Sequence, residues 1–318
     1  MFKVHVIAAE AAFGDDHRNV CRQIARACLA VLRLLPPDRA LGVADRFARR
    51  VGPWFGRHRT AIENLTLAYP EKNGAEIEAI ASDMWGNMAR LAVEYVFLDE
   101  LFDYSPADAE PGRVEIVGNH IFDRIAAERK PHIFFTGHIG NFELLPVCAA
   151  AYQMQVTALF RPPNNPYIAE YVFKTRRSSM GGLLASKRGA ALGLARILEQ
   201  GGNIGLLVDQ KFANGIATSF FGRQCETSPL LPKLARQYDC DVYPAHCVRL
   251  PGNRFRLTLE EKLDLPRDGE GWVDIERTAQ LLTDVVERWV RAEPGQWMWF
   301  HKRWKLRGGK RPGGAGPQ

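Results

Sequence analysis

The stretch IFFTGHIGNFE, residues 133–143, decides the fold class of this chain. Residues 133–136 are apolar or β-branched and predict a buried strand, and glycines 137 and 140 flank a turn before a helix that begins near Asn141. A strand that passes through a turn into a helix is the unit of a layered α/β sheet. Ligands bind such sheets at the carboxyl ends of the strands, which is where His138 stands.

Short apolar runs alternate with helical patterns on both sides of this stretch. Six strands are predicted, at 114–117, 133–136, 156–160, 204–208, 241–248 and 254–259. Five helices are predicted between or after them, at 141–152, 166–179, 189–200, 229–238 and 273–292. We therefore predict an α/β fold in which a mixed sheet is flanked by helices.

Residues 18 to about 100 are predicted to be helical. The first helix spans 18–35 and is ended by the proline pair 36–37, and Asp38 is a candidate cap for the second. The third and fourth helices are predicted at 58–69 and 74–98. The end of the chain is rich in glycine, proline and basic residues and predicts disorder. Three regions follow: a helical, membrane-associating region at 1–105, an α/β core at 106–307 and a disordered tail at 308–318.

Composition and charge exclude several classes of protein. Of the 318 residues, 46% are hydrophobic and 25% are charged, which excludes a disordered chain, and no stretch of 18 uncharged apolar residues supports a polytopic membrane protein. Residues 1–60 carry 11 Lys and Arg against 5 Asp and Glu, and residues 301–318 carry 6 basic residues and no acidic ones. Basic ends suit an anionic surface, either nucleic acid or a membrane. Because no nucleic-acid recognition motif accompanies them, we expect no nucleic-acid partner.

The first predicted helix favours the membrane. Arg18, Arg22 and Arg26 recur at steps of four opposite an aliphatic face, as in a helix that lies in a membrane interface. The alternative is a surface helix packed on its own domain. The arginines exclude a spanning helix. We therefore expect peripheral or monotopic attachment to a membrane.

The six scattered cysteines have no CxxC spacing and indicate reduced thiols rather than a metal site.

His138 and Glu143 are the candidate catalytic residues. Glu143 falls in the first helical turns after His138, so the carboxylate can fold back on the imidazole and fix its tautomer. The other ring nitrogen is then free to act as a general base. The alternative is a structural turn histidine with a chance glutamate nearby.

Five blocks of sequence carry a family resemblance. The segment GHIGNFE, residues 137–143, resembles the GHxGNxE form of the His-x4-acid motif in bacterial lipid A secondary acyltransferases, which transfer lauroyl or myristoyl chains. The other blocks resemble that family in the same order: RxxxxNLxxAYP at 59–70, RPPNNP at 161–166, DQ at 209–210 with FFG at 220–222, and PGQWMWFHKRWK at 294–305. The likeness covers about residues 58–307. Gly295 replaces the usual glutamate and Lys302 an arginine, and the spanning helix of many members is missing.

The resemblance implies a glycerolipid-acyltransferase-like fold and an activity. An acyl chain passes from acyl carrier protein to a hydroxyl of a lipid A precursor, with His138 and Glu143 as the base and no cofactor or metal. Arg161 follows the strand at 156–160 and is our choice for the oxyanion or a phosphate, with a loop-ordering salt bridge as the alternative. The remaining candidates contact substrate: Asn141, Asn165, Arg176, Asp209, Gln210, His301 and Arg303.

Several alternatives remain open at this stage. For Asp209 and Gln210 the alternatives are binding of sugar hydroxyls, orientation of Arg161 and a structural role. For the tryptophan-rich segment 297–304 the alternatives are a cap over an acyl groove, a position at the level of the lipid headgroups and packing in the core. The rival functions are an acyltransferase for a phospholipid or ornithine lipid, a hydrolase of acyl thioesters, and a membrane-associated lipid-binding protein without catalysis.

Overall fold

The computed structural model describes residues 32–106, 112–128, 130–160, 181–238 and 240–304. Its first elements are helical: α1 (Pro37–Val51), a 3-10 turn (Gly52–Trp54), α2 (Gly56–Ala68), α3 (Gly74–Glu94) and α4 (Leu98–Leu101). A capping box starts α3, in which Asn73 and Glu76 each accept a hydrogen bond from the other's backbone N–H. Of the predicted helix at 18–35 only residues 32–35 are described, and the tail at 308–318 lies outside the described residues. None of the described helices combines the length and apolarity needed to cross a bilayer.

A seven-stranded sheet follows, with strand order β1-β9-β8-β2-β5-β3-β4. Its strands are β1 (Val114–Val117), β2 (His132–Thr136), β3 (Val156–Phe160), β4 (Gly182–Ala185), β5 (Asn203–Leu207), β8 (Asp241–Leu250) and β9 (Arg254–Leu259). A separate hairpin pairs β6 (Ile216–Phe220) with β7 (Arg223–Thr227). The helices among and after these strands are α5 (Asn119–Ala127), α6 (Leu144–Ala151), α7 (Ala190–Glu199), α8 (Leu230–Tyr238) and α9 (Ile275–Ala292), and a 3-10 turn (Pro294–Gln296) closes the series.

Strand β2 lies in the middle of the sheet, parallel to both of its neighbours, β8 and β5. The pairing of β8 with β9 is antiparallel, so the sheet is mixed, as predicted. Ile133 and Phe135 pack into the core on one face of the sheet and Phe134 into the core on the other. A strand buried on both faces has a continuous run of apolar residues in its sequence, so residues 133–136 predict a central strand of the sheet.

The structure adds three strands that the sequence pattern does not predict. Strand β4 is a half-buried edge strand, where burial imposes no clear alternation. The hairpin β6–β7 carries the FFG block at its turn, with Phe221 and Gly222 both at positive φ. The predicted helix at 166–179 lies outside the described residues.

Candidate active site

The sheet register brings His138 and Asp209 together. Thr136 at the end of β2 is opposite Leu207 at the end of β5, and the backbone N–H of Val208 donates to the carbonyl of Thr136 at 3.1 Å. Two residues further along each strand, the register places His138 opposite Asp209. The imidazole Nδ1 of His138 lies 2.7 Å from Oδ1 of Asp209. Both residues stand at the carboxyl edge of the sheet, where ligands bind in this class of fold.

Asp209 is a buried acceptor rather than an exposed ligand. Its Oδ2 accepts from the backbone N–H of His138 at 2.8 Å and from the indole N–H of Trp297 at 2.8 Å. Its two oxygens therefore receive three N–H donors, and the residue is 4% exposed. With its side chain buried and both oxygens engaged inside the protein, Asp209 fits the structural alternative better than contact with a sugar hydroxyl.

The pKa values of this pair move apart. Burial opposes ionisation of both groups, but the charge of His138 and the N–H donors hold the pKa of Asp209 well below its usual value. Burial also acts to lower the pKa of His138, and the charge and hydrogen bond of Asp209 outweigh it and raise that pKa above 6.5, with a further contribution from the charge of Glu143. An ionised Asp209 fixes the proton of a neutral His138 on Nδ1, which leaves Nε2 as the acceptor.

Gln210 covers the reactive nitrogen of His138. Its side-chain Nε2 lies 3.0 Å from Nε2 of the imidazole, and Gln210 is exposed. The ring of Phe142 packs edge-on against the imidazole, with 5.0 Å between the ring centroids. The imidazole is thus held on three sides, and the side covered by Gln210 is the one that a substrate hydroxyl can take over.

Glu143 occupies a different position from the expected one. We expected its carboxylate to fix the tautomer of His138, but Asp209 makes the hydrogen bond at Nδ1. Glu143 is 5% exposed, precedes the first residue of α6 and acts on the imidazole through its charge. The reason is geometric, because the neighbouring strand β5 delivers Asp209 directly opposite His138.

Asn141 ties the histidine loop to the helical region. It is fully buried, its amide donates to Oε2 of Glu94 at 2.9 Å, and its Oδ1 accepts from the backbone N–H of Glu143 at 3.1 Å. Glu94 is also buried and pairs with the guanidinium of Arg249. Both ends of the Asn141 amide are thus engaged inside the protein, and its contact with substrate stays a prediction.

Gly140 lets this loop press against a neighbouring strand. Its φ of 55° lies in the left-handed region, and a Cβ there would stand 2.0 Å from the carbonyl oxygen of Cys247. Its backbone N–H donates to the carbonyl of Gln296 at 3.0 Å. Only glycine fits this position, which explains the second glycine of the GHIGN segment.

The segment 294–304 packs into the core and contacts the buried side of the site. Trp297 and Trp299 are 1% and 0% exposed, which favours core packing over an exposed cap or headgroup contact for these two residues. Asn64 on α2 donates to the carbonyls of Trp299 and His301, at 2.7 Å each. Through Trp297 this segment supplies one of the hydrogen bonds that fix Asp209.

Arg303 is a structural residue in this arrangement. It is 2% exposed, and its Nη1 donates to the carbonyls of Gln210 and Glu226, at 3.1 Å each. Its Nη2 donates to the hydroxyl of Thr227 at 2.8 Å. The guanidinium therefore anchors the segment that carries Gln210. Contact of Arg303 with substrate stays a prediction.

His301 is the other predicted residue of that segment. Its ring Nε2 is buried and has no hydrogen-bond partner among the residues that the structure describes. Burial lowers the pKa of His301 to about 4, so the ring is neutral at neutral pH. The three remaining predicted residues, Arg161, Asn165 and Arg176, lie outside the described residues.

An apolar cavity opens to solvent beside the histidine loop. Its lining includes Phe142 and Glu143 from that loop and apolar side chains from α6 and strands β2, β3 and β5. Phe142, which packs against the imidazole of His138, joins the cavity to the site. A concave, mostly apolar pocket of this kind is typical of a ligand site.

A cluster of potential metal ligands lies at the opposite, amino edge of the sheet. Glu128, His132 and Asp241 approach one another there. The ammonium group of Lys130 lies 2.5 Å from Asp241 and 3.4 Å from Glu128, and Lys262 also contacts Asp241. Lysine charges already balance these carboxylates, so we assign the cluster a structural role.

Known proteins resemble this chain over most of its length. The family described as bacterial lipid A biosynthesis acyltransferase matches residues 17–306. The chain belongs to this family. It is 27% identical over 286 residues to the lipid A biosynthesis myristoyltransferase of Escherichia coli (strain K12), which covers 88% of this chain and 85% of that protein. It is 26% identical over 287 residues to lipid A biosynthesis acyltransferase 2 of Shigella flexneri, with 88% of each chain covered.

Four of the five sequence blocks that resemble this lipid A acyltransferase family meet at the site. Asn64, in the block at 59–70, donates a hydrogen bond to the backbone of the block at 294–305. Asp209 is hydrogen-bonded to His138 of the block at 137–143 and accepts from Trp297 of the block at 294–305. The FFG hairpin joins them, because Trp304 donates to the carbonyl of Phe220 at 2.9 Å. The block at 161–166 lies outside the described residues.

Sequence reasoning missed three residues that organise the acyltransferase site. Trp297, Glu94 and Arg249 carry the hydrogen bonds around Asp209 and Asn141, and no local pattern pairs residues so far apart in the chain. The signal that could have revealed the role of Asp209 is its distance in sequence from the end of its strand. It stands two residues past the end of β5, as His138 stands two residues past the end of β2.

Proposed function

We propose that this chain transfers a fatty acyl group from acyl carrier protein to a hydroxyl of a lipid A precursor. The supporting observation is the hydrogen-bonded pair of His138 and Asp209 at the carboxyl edge of the sheet, beside an apolar cavity. An imidazole oriented by a buried carboxylate is a general base, and an apolar cavity accommodates an acyl chain. The names of the family relatives, which refer to lipid A biosynthesis, support the acceptor.

The reaction begins when the acceptor hydroxyl displaces the amide of Gln210 from Nε2 of His138. The hydroxyl oxygen attacks the thioester carbon while its proton passes to Nε2, and the negative charge of Asp209 stabilises the imidazolium that forms. The C–S bond of the tetrahedral intermediate then breaks, and the leaving thiolate takes the proton from His138. The products are the acylated lipid and the free thiol of the carrier.

The tetrahedral oxyanion needs a positive or N–H donor. We propose Arg161 for this role on the basis of the family resemblance and of its place after β3, the strand that pairs with β5. Glu143 adds negative charge near His138, which favours the protonated imidazole during the transfer.

The donor chain occupies the apolar cavity in this proposal. Phe142 and Glu143 line it and flank His138 in the sequence, so a chain inside the cavity brings its carbonyl carbon towards the base. The acceptor approaches from the exposed side, where Gln210 now lies.

The proposed location is the cytoplasmic face of the inner membrane, with peripheral or monotopic attachment. The acceptor is a membrane lipid and the donor an acidic cytosolic protein, so both meet at that surface. Residues 1–105 form the membrane-associating part in this proposal, and residues 106–307 carry the chemistry.

Mass spectrometry of the products of the purified full chain tests this function. The reaction contains lauroyl- or myristoyl-loaded acyl carrier protein with a tetraacylated lipid A precursor, dispersed in detergent. We expect a precursor that has gained one acyl chain. Free fatty acid as the only product would indicate a hydrolase, and acylated phospholipid or ornithine lipid in parallel reactions would indicate a different acceptor. Lipid binding without turnover would contradict catalysis.

A further inference from the structure

Helix α1 and the 3-10 turn that follows it expose a face that mixes large apolar and basic side chains. Val43, Phe47 and Trp54 are 50%, 66% and 81% exposed. Arginines alternate with them at helical spacing on the same side of the helix. We call this the α1 face and define it by six residues: Arg39, Val43, Arg46, Phe47, Arg50 and Trp54.

The inner side of α1 is packed and paired. Ala40 and Leu41 are fully buried. Asp45 accepts from Arg49 at 3.0 Å and from Arg90 at 3.1 Å, so the arginine on this side has a carboxylate partner. The three arginines of the α1 face make no salt bridge with any residue that the structure describes. Within the part of the chain that the structure describes, these outward charges have no carboxylate partner.

The α1 face stands at the catalytic edge of the sheet. Asp38, in the first turn of α1, accepts from Asn253 at 3.0 Å and from Arg113 at 2.7 Å. Asn253 lies in the turn after β8, and β8 is parallel to β2, so this turn is at the same edge as His138. The helix beneath α1, α3, carries the Glu94 that binds Asn141 in the histidine loop.

We propose that the α1 face docks on an anionic phospholipid bilayer. Arginines beside an apolar stripe, with a tryptophan at its end, match a helix that lies in a membrane interface, where cations meet lipid phosphates and aromatic rings sit at headgroup level. A contiguous exposed patch of apolar side chains is typical of a protein or membrane interaction site. The inference rests on the proposed function, because docking at this edge brings the site of His138 to its lipid acceptor.

Vesicle flotation of the full chain tests the apolar part of the face. The vesicles contain phosphatidylglycerol and phosphatidylethanolamine, with phosphatidylcholine vesicles as the uncharged comparison. We expect V43S/F47S/W54S to lose most binding and the matched variant W272S, which replaces an exposed tryptophan elsewhere, to bind as wild type. Circular dichroism checks that each variant is folded.

A second variant tests the charge. R39Q/R46Q/R50Q is expected to bind phosphatidylglycerol vesicles at least about 30-fold more weakly, since each basic residue near an anionic surface contributes favourably to binding. The control R196Q/R267Q/R277Q removes three exposed arginines elsewhere and should keep its affinity. Equal binding by both α1-face variants and wild type would overturn the proposal and point to residues 18–31. Loss of acyl carrier protein binding with vesicle binding intact would overturn it in favour of a protein partner.

Transfer to an acceptor dispersed in detergent separates this inference from the proposed function. The α1-face variants should retain that transfer while losing vesicle binding. Absence of transfer by the wild type in detergent, with vesicle binding intact, would contradict the function and leave the docking face standing.

Discussion

At the scale of single residues, two carboxylates act on the imidazole of His138 in different ways. Asp209 makes the hydrogen bond at Nδ1 and fixes the tautomer, whereas Glu143 contributes charge. Both raise the pKa of His138, so the neutral form of the imidazole is reached at higher pH than in an unperturbed histidine.

The raised pKa of His138 predicts the pH dependence of kcat/KM. The base must be neutral to accept a proton, so activity should rise with pH through an acidic limb centred above 6.5. Removing the charge of Glu143 in E143Q should lower the pKa of His138 and move that limb to lower pH. E199Q, at the other edge of the sheet, serves as the matched control. A limb that stays in place in E143Q would show that Glu143 does not act on His138 through charge.

Arg303 offers a second test at this scale. In R303M the carbonyls of Gln210 and Glu226 lose a buried donor, and we expect the free energy of unfolding to fall by about 1–3 kcal/mol. The KM for the lipid acceptor should not change, because the guanidinium is buried away from solvent. Urea unfolding and acceptor titration measure the two quantities, with the exposed neighbour variant K302M as control. A raised KM at unchanged stability would restore Arg303 as a substrate ligand.

At the scale of elements, the strand order creates the site. The chain runs from β2 to β3 and β4 before β5 returns to lie between β2 and β3. This return sets Asp209 beside His138 and also forms the wall of the apolar cavity, to which both β3 and β5 contribute.

Ala158 on β3 lines that cavity and permits a test of the acyl chain's position. A158L adds volume inside the cavity, so we expect the preferred donor to become shorter by two or more carbons. The control A150L places the same side chain on the exposed side of α6. Competition between acyl carrier proteins loaded with chains of different length measures the preference. An unchanged preference in A158L would place the acyl chain elsewhere.

The elements also show how far sequence patterns carry. Residues 133–136 predict β2 because a strand buried on both faces leaves a continuous apolar run. The same reasoning located His138 at the catalytic edge. It paired His138 with Glu143, its neighbour in sequence, because local spacing carries no information on which strand lies beside β2. The register of β2 with β5 supplies that information and selects Asp209.

At the scale of the whole molecule, distant parts of the chain hold one another in place around the histidine loop. Asn64 bonds to carbonyls more than 230 positions away, and Asn87 donates to the carbonyl of Gln296, which in turn accepts from Gly140. The helical region is therefore joined to the histidine loop, and α1 packs on α3 within that region. In our proposals the docking face and the base therefore lie at the same edge of the sheet.

The most direct test of the central claim is the rate of acyl transfer from loaded acyl carrier protein to a tetraacylated lipid A precursor by folded H138A and D209N. We predict a loss of about 10²–10⁴ in turnover for H138A, since the general base is removed, and a large loss for D209N, in which the tautomer is no longer fixed. The thermal unfolding of H138A should remain close to that of wild type. Turnover near the wild-type rate in H138A would contradict the account.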